Sequence, residues 1–117
     1  MRRVGFTIEK ETYEEQREAG RYNPGLVVLF RDRTGNHRVH IGAGYSDDVE
    51  VYREGEETFI LSKNWRLGYV GLEIYRGSRH IGEMFLQNSQ DIDEILGPQG
   101  LDLADYNIIK RMAQYID

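Results

Sequence analysis

Short runs of alternating apolar residues, each closed by glycine, asparagine or aspartate, recur along most of this 117-residue chain. Val4, Phe6 and Ile8 alternate with Gly5 and Thr7, Val39 and Ile41 alternate with Arg38 and His40, and Leu26 to Phe30 is a dense apolar run. A two-residue period is that of a strand with one face buried, and a short apolar run between turn residues suits a strand buried on both faces. The pattern predicts strands at about 4–8, 26–31, 37–43, 48–53, 57–62, 65–76 and 80–86. The RDRTGNHR stretch has hairpin chemistry with Gly35-Asn36 at its tip. Between the first two strands, EKETYEEQREAG carries five glutamates and little apolar surface. Thr12 and Glu15 stand at capping-box spacing there, so the segment is a short helix or a polar excursion.

The period changes after residue 87. Asn88 or Ser89 caps a short helix near 90–96, which Gly97-Pro98 stops. Asp102 caps an amphipathic helix over 102–116, with Ala104, Ile108, Met112 and Tyr115 as its core-facing stripe. The fold class is α+β and mostly β: an antiparallel meander sheet or partly closed barrel of six to seven strands, forming one domain over 1–117. Strand count and closing helix resemble a pleckstrin-homology-like barrel in architecture, without a phosphoinositide-binding signature at the first hairpin.

DVEVYREGE at 48–56 is echoed by GLEIYRGSR at 71–79, so Val49, Glu50, Val51, Tyr52 and Arg53 align with Leu72, Glu73, Ile74, Tyr75 and Arg76. With one strand between them, the two copies run in the same direction. Meander geometry predicts that they present the same faces, with apolar residues inward and both Glu-Tyr pairs on the wet face. It also gathers alternate turns at one end. That end brings Arg31, Arg33, Arg38, Arg53, Arg76 and Arg79 together with Glu54, Glu56 and Glu57. Trp65, Leu67 and Tyr69 share a strand face that either lies under the last helix or forms an aromatic patch.

A net charge of −5 argues against general nucleic-acid affinity. The absence of cysteine excludes disulfides and thiolate metal sites. No apolar run is long enough for a secretory leader or a membrane span, so the expected location is the cytoplasm. Basic residues are lopsided, 12 arginines to 3 lysines, beside 8 tyrosines. Arginine and tyrosine are the side chains enriched at interfaces.

Catalytic and metal patterns are weak. His37 and His40 are three apart on a strand and face opposite sides, and the same parity separates His80 from Glu83. None of the serines sits in a nucleophile elbow, and Asp47 replaces the third glycine of a dinucleotide fingerprint. No cofactor or metal site is expected. The leading expectation is a non-catalytic module that recognises a protein partner through Arg31, Arg33, Arg38, Arg53, Arg76, Arg79, Tyr52, Tyr75 and Trp65. A small-molecule anion binder at the arginine-lined end is the alternative. An enzyme using a set such as His40, Tyr52 and Glu73 ranks third. An exposed edge strand offers a route to a homodimer.

Overall fold

The computed structural model describes residues 1–20, 25–41, 49–63 and 69–112. Eight strands and three α-helices follow one another as β1 (Arg2–Arg3), β2 (Phe6–Lys10), α1 (Tyr13–Glu18), β3 (Leu26–Asp32), β4 (Gly35–Ile41), β5 (Val49–Glu54), β6 (Glu57–Lys63), β7 (Val70–Arg76), β8 (Arg79–Leu86), α2 (Ser89–Ile95) and α3 (Leu103–Met112). The α+β, mostly-β class and the antiparallel meander order hold, but the strands do not close into a barrel. They form two antiparallel sheets, ordered β2-β3-β4 and β1-β5-β6-β7-β8. The N-terminal segment serves both, because Arg2–Arg3 pairs with β5 and Phe6–Lys10 with β3. The strand expected at 4–8 runs instead over Phe6–Lys10, because the chain crosses between the sheets at Val4-Gly5.

The larger sheet is a middle layer. One face packs Val49, Val51, Ile60 and Tyr75 against Val28, Phe30, Val39 and Ile41 of the smaller sheet. The other packs Tyr52, Phe59, Leu61 and Leu72 under Ile92 and Leu96 near α2 and Ile109 and Met112 of α3. β6 is accordingly buried from Thr58 to Ser62, the run expected of a strand covered on both sides.

Helix ends follow their sequence signals. Thr12 and Glu15 complete the capping box of α1, Asn88 accepts from Asp91 N, and Asp102 accepts from Asp105 N. The buried stripe of α3 is Asp105, Ile109 and Met112, one residue round from the Ala104-Ile108-Met112 stripe expected. Trp65, Leu67 and the helix end at 113–117 lie outside the described residues. Among the described residues no helix is long and apolar enough to cross a membrane.

Two register facts correct the expected placement of side chains. Val51 pairs with Ile60 and Ile60 with Glu73, whereas Tyr52 leads through Phe59 to Ile74. Spatial equivalence between β5 and β7 is thus offset by one residue from the repeat, and one residue reverses the face. The two Glu-Tyr pairs lie on opposite faces, and neither tyrosine is wet: Tyr52 is 0% exposed and Tyr75 3%. The second fact is a bulge. Ile74 pairs with Gly82 but Tyr75 with His80, leaving Ile81 as an extra residue in β8. That residue undoes the parity separating His80 from Glu83.

Candidate functional site

Three turns meet at one end of the molecule. The β3–β4 turn is Arg33-Thr34, with Gly35 already opening β4 and not at the tip. The β5–β6 turn carries Gly55 and the β7–β8 turn Gly77-Ser78. Together with Met1 and Arg2 they line a cleft of about 950 Å³. Its walls hold Arg2, Arg31, Arg33, Arg53 and Arg76 against the acids Asp32, Glu54 and Glu56.

Those acids are largely committed. Glu54 meets the Met1 amino group at 2.5 Å. Asp32 accepts from Thr34 N at 2.7 Å and lies 2.8 Å from His37 Nε2. Burial alone would raise the Asp32 carboxyl, but the hydrogen bonds from Thr34 and His37 outweigh it and hold it at about 2. The arginines are less committed. Arg76 reaches Glu57 at 3.3 Å. Arg53 Nη2 donates to the Arg31 carbonyl at 2.8 Å, tying the two sheets together, while its Nε is buried without a hydrogen-bond partner among the described residues. Arg2, Arg31, Arg33 and Arg53 form no ion pair among those residues. The cleft therefore carries surplus positive charge in a chain that is acidic overall.

The remaining candidates lie elsewhere. Arg38 points away from the cleft into α1 territory, bonding Glu9 at 2.6 Å and Glu15 at 2.6 Å. Its guanidinium, with the Thr12 cap, holds Glu15 at about 2. Arg79 faces Arg76 across the β7–β8 hairpin but is not among the lining residues. Tyr52 and Tyr75 are core residues, and Trp65 falls outside the described part. His40, Tyr52 and Glu73 cannot act as one set, since Tyr52 lies under the helices and Glu73 on the opposite face of the sheet.

One arrangement went undetected in the sequence. His37 Nδ1 lies 2.6 Å from Ser78 Oγ, while its Nε2 lies 2.8 Å from Asp32 Oδ1 and 2.8 Å from Thr34 Oγ1. The chain of contacts locks the β3–β4 tip to the β7–β8 tip in the cleft wall. It also has the membership of a nucleophile, base and acid relay, with the two imidazole nitrogens in the reverse of the usual order. Asp32-x-Thr34 is a legible side-chain turn. The Ser78 contact joins residues 41 apart and needs the packing of two sheets to appear. Compared with family models, curated proteins and solved structures, the chain matches none of them.

Proposed function

We propose that this chain is a binding module whose arginine-lined cleft takes an anionic ligand. The observation behind this reading is the convergence of Arg31, Arg33, Arg53 and Arg76 on one concavity, three of them with no ion pair among the described residues. A guanidinium presents a planar fork that matches carboxylate and phosphate with paired hydrogen bonds. The cleft lies within the roughly 300–1,000 Å³ range of small-molecule sites. A flat Arg/Tyr face for a protein partner has less support, because Tyr52 and Tyr75 are spent in the core.

The test is a thermal-shift panel of phosphorylated and polycarboxylate compounds on wild type and on an Arg53→Gln/Arg76→Gln variant that keeps its circular dichroism. A compound that raises the wild-type midpoint and leaves the variant unmoved supports the reading. An acidic side chain on a protein partner would present the same chemistry, and a lysate pull-down with the same two proteins separates that source. No stabilising anion and no arginine-dependent partner would sink the proposal.

A second reading, hydrolysis of an anionic ester, has the Asp32-His37-Ser78 chain in its favour. Ser78 Oγ would attack the acyl carbon while His37 Nδ1 takes its proton. The imidazolium would return that proton to the leaving oxygen, and water would release the acyl group. Labelling of Ser78 by a fluorophosphonate, lost in His37→Ala, would favour it; an unlabelled wild type would end it.

A further inference from the structure

The Ile81 bulge places three ligand-bearing side chains on one uncovered patch of the larger sheet. Glu73 and Glu83 are direct cross-strand partners, and His80 pairs with Tyr75 one bulge away. Two carboxylates directly opposite one another repel and destabilise the strand pair unless a positive charge sits between them. His80 Nε2 lies 3.6 Å from Glu73 Oε1 and 3.9 Å from Glu83 Oε2. One ligand atom from each of the three residues lies within 4.8 Å of the others. Ligands bonded at about 2.0–2.1 Å around a tetrahedral cation stand roughly 3.3 Å apart, so small rotations of the half-buried Glu73 and the exposed His80 and Glu83 side chains close the set.

We propose that Glu73, His80 and Glu83 form a site for a divalent cation of the zinc type. One imidazole and two carboxylates are ligands of that class, and three protein ligands leave a fourth position open to solvent or to a second molecule. A supporting shell is present. The Tyr75 hydroxyl shares its one proton between Glu73 Oε1 at 3.1 Å and the His40 carbonyl at 3.2 Å. The Tyr75 ring meets the His80 ring edge-on with centroids 5.3 Å apart. Tyr75 is thus a positioning residue: it aims one carboxylate and fixes one imidazole plane. The site is separate from the arginine cleft, so either can fail without the other.

The experiment is calorimetric titration of ZnCl₂ into untagged, EDTA-dialysed full chain at pH 7.5, repeated on His80→Ala, Glu83→Gln and Tyr75→Phe. His80 is 43% and Glu83 73% exposed at the side chain, so their variants keep the fold, which circular dichroism checks. One equivalent of zinc is expected in wild type, weakened at least tenfold in His80→Ala and Glu83→Gln, and about tenfold in Tyr75→Phe. Cobalt(II) should show the visible bands of a low-symmetry four-coordinate ion in wild type and lose them in His80→Ala. Absence of zinc binding, or binding that survives His80→Ala unchanged, overturns the proposal.

Discussion

Tyr52 and Tyr75 hold the same place in the two copies of the repeated pattern yet lie on opposite faces of one sheet. Tyr52 is packed under the helices, and its hydroxyl is buried with no hydrogen-bond partner among the described residues. Tyr75 is packed against the smaller sheet, and its hydroxyl shares its one proton between the His40 carbonyl and Glu73. Deleting an oxygen that bonds nothing removes a desolvation cost, whereas deleting a bonded one strands its acceptors. Tyr52→Phe is therefore expected to be neutral or slightly stabilising, and Tyr75→Phe to cost about 1 kcal/mol. Urea unfolding of the two variants reads the difference directly, and the reverse order would contradict the β5–β6–β7 register.

Asp32 makes a pH-dependent contribution of known sign. Its folded-state value of about 2 lies below the 3.8 of an unperturbed aspartate. The stability it supplies is complete above 3.8 and is lost as the pH falls toward 2. Asp32→Asn retains an acceptor oxygen but not the charge. It is expected to lose roughly 1.5–3 kcal/mol at pH 7, the scale of a hydrogen bond to a charged group, and to approach wild type near pH 2. A gap that stays constant across that range would mean the charge is not what holds the turn.

The class of the fold was legible because alternation and turn chemistry are local. Phe6–Lys10, Leu26–Asp32 and Val49–Glu54 all announce themselves within a few residues. Register is a different matter. The repeat recurs every 23 residues, but the β5–β6 and β6–β7 pairings make residues 22 apart equivalent, as Val51 and Glu73 are. Hairpin length and pairing set that offset, and similarity between two strands says nothing about it. The Ile81 bulge did leave a trace: Gly82 interrupts an apolar strand, a common mark of bulges. The gathering of turns followed from meander order alone and found Arg31, Arg33, Arg53 and Arg76. It misplaced Arg38 because the smaller sheet brings its own acids there, Glu9 of β2 and Glu15 of α1.

Asp105 titrates in the opposite sense to Asp32. It is buried on the inner face of α3, and burial, then the nearby Asp102 charge, raises its carboxyl above the usual value. The folded state then binds the proton more tightly than the unfolded one, so this residue costs stability as the pH rises through its folded value. Asp105→Asn is expected to raise stability at pH 7, with the gain vanishing below about pH 3.8, the unperturbed value. A thermal melt series at pH 3, 5 and 7 checks this, and a variant less stable at pH 7 would show that the carboxylate serves as a needed acceptor.

Gly55 and Gly77 sit in the two turns that frame the cleft, with nearly equal backbone strain for any other residue: φ is +59° at one and +60° at the other. A left-handed conformation costs an L-residue roughly 1–2 kcal/mol. Their surroundings differ. A methyl at Gly55 would meet nothing within 4 Å, while at Gly77 it would stand 3.4 Å from His37 Cε1 and 3.7 Å from Thr34 Oγ1. These are ordinary contact distances, so crowding adds little to the strain. Gly55→Ala and Gly77→Ala are thus expected to lose similar amounts, about 1–2 kcal/mol each, measured by urea unfolding. Gly77→Asn and Gly55→Asn should recover part of the loss, because asparagine tolerates positive φ. A markedly larger loss at Gly77 would mean that the turn cannot yield against His37, and that the hairpin tips bearing Arg33 and Arg76 form one rigid wall of the cleft.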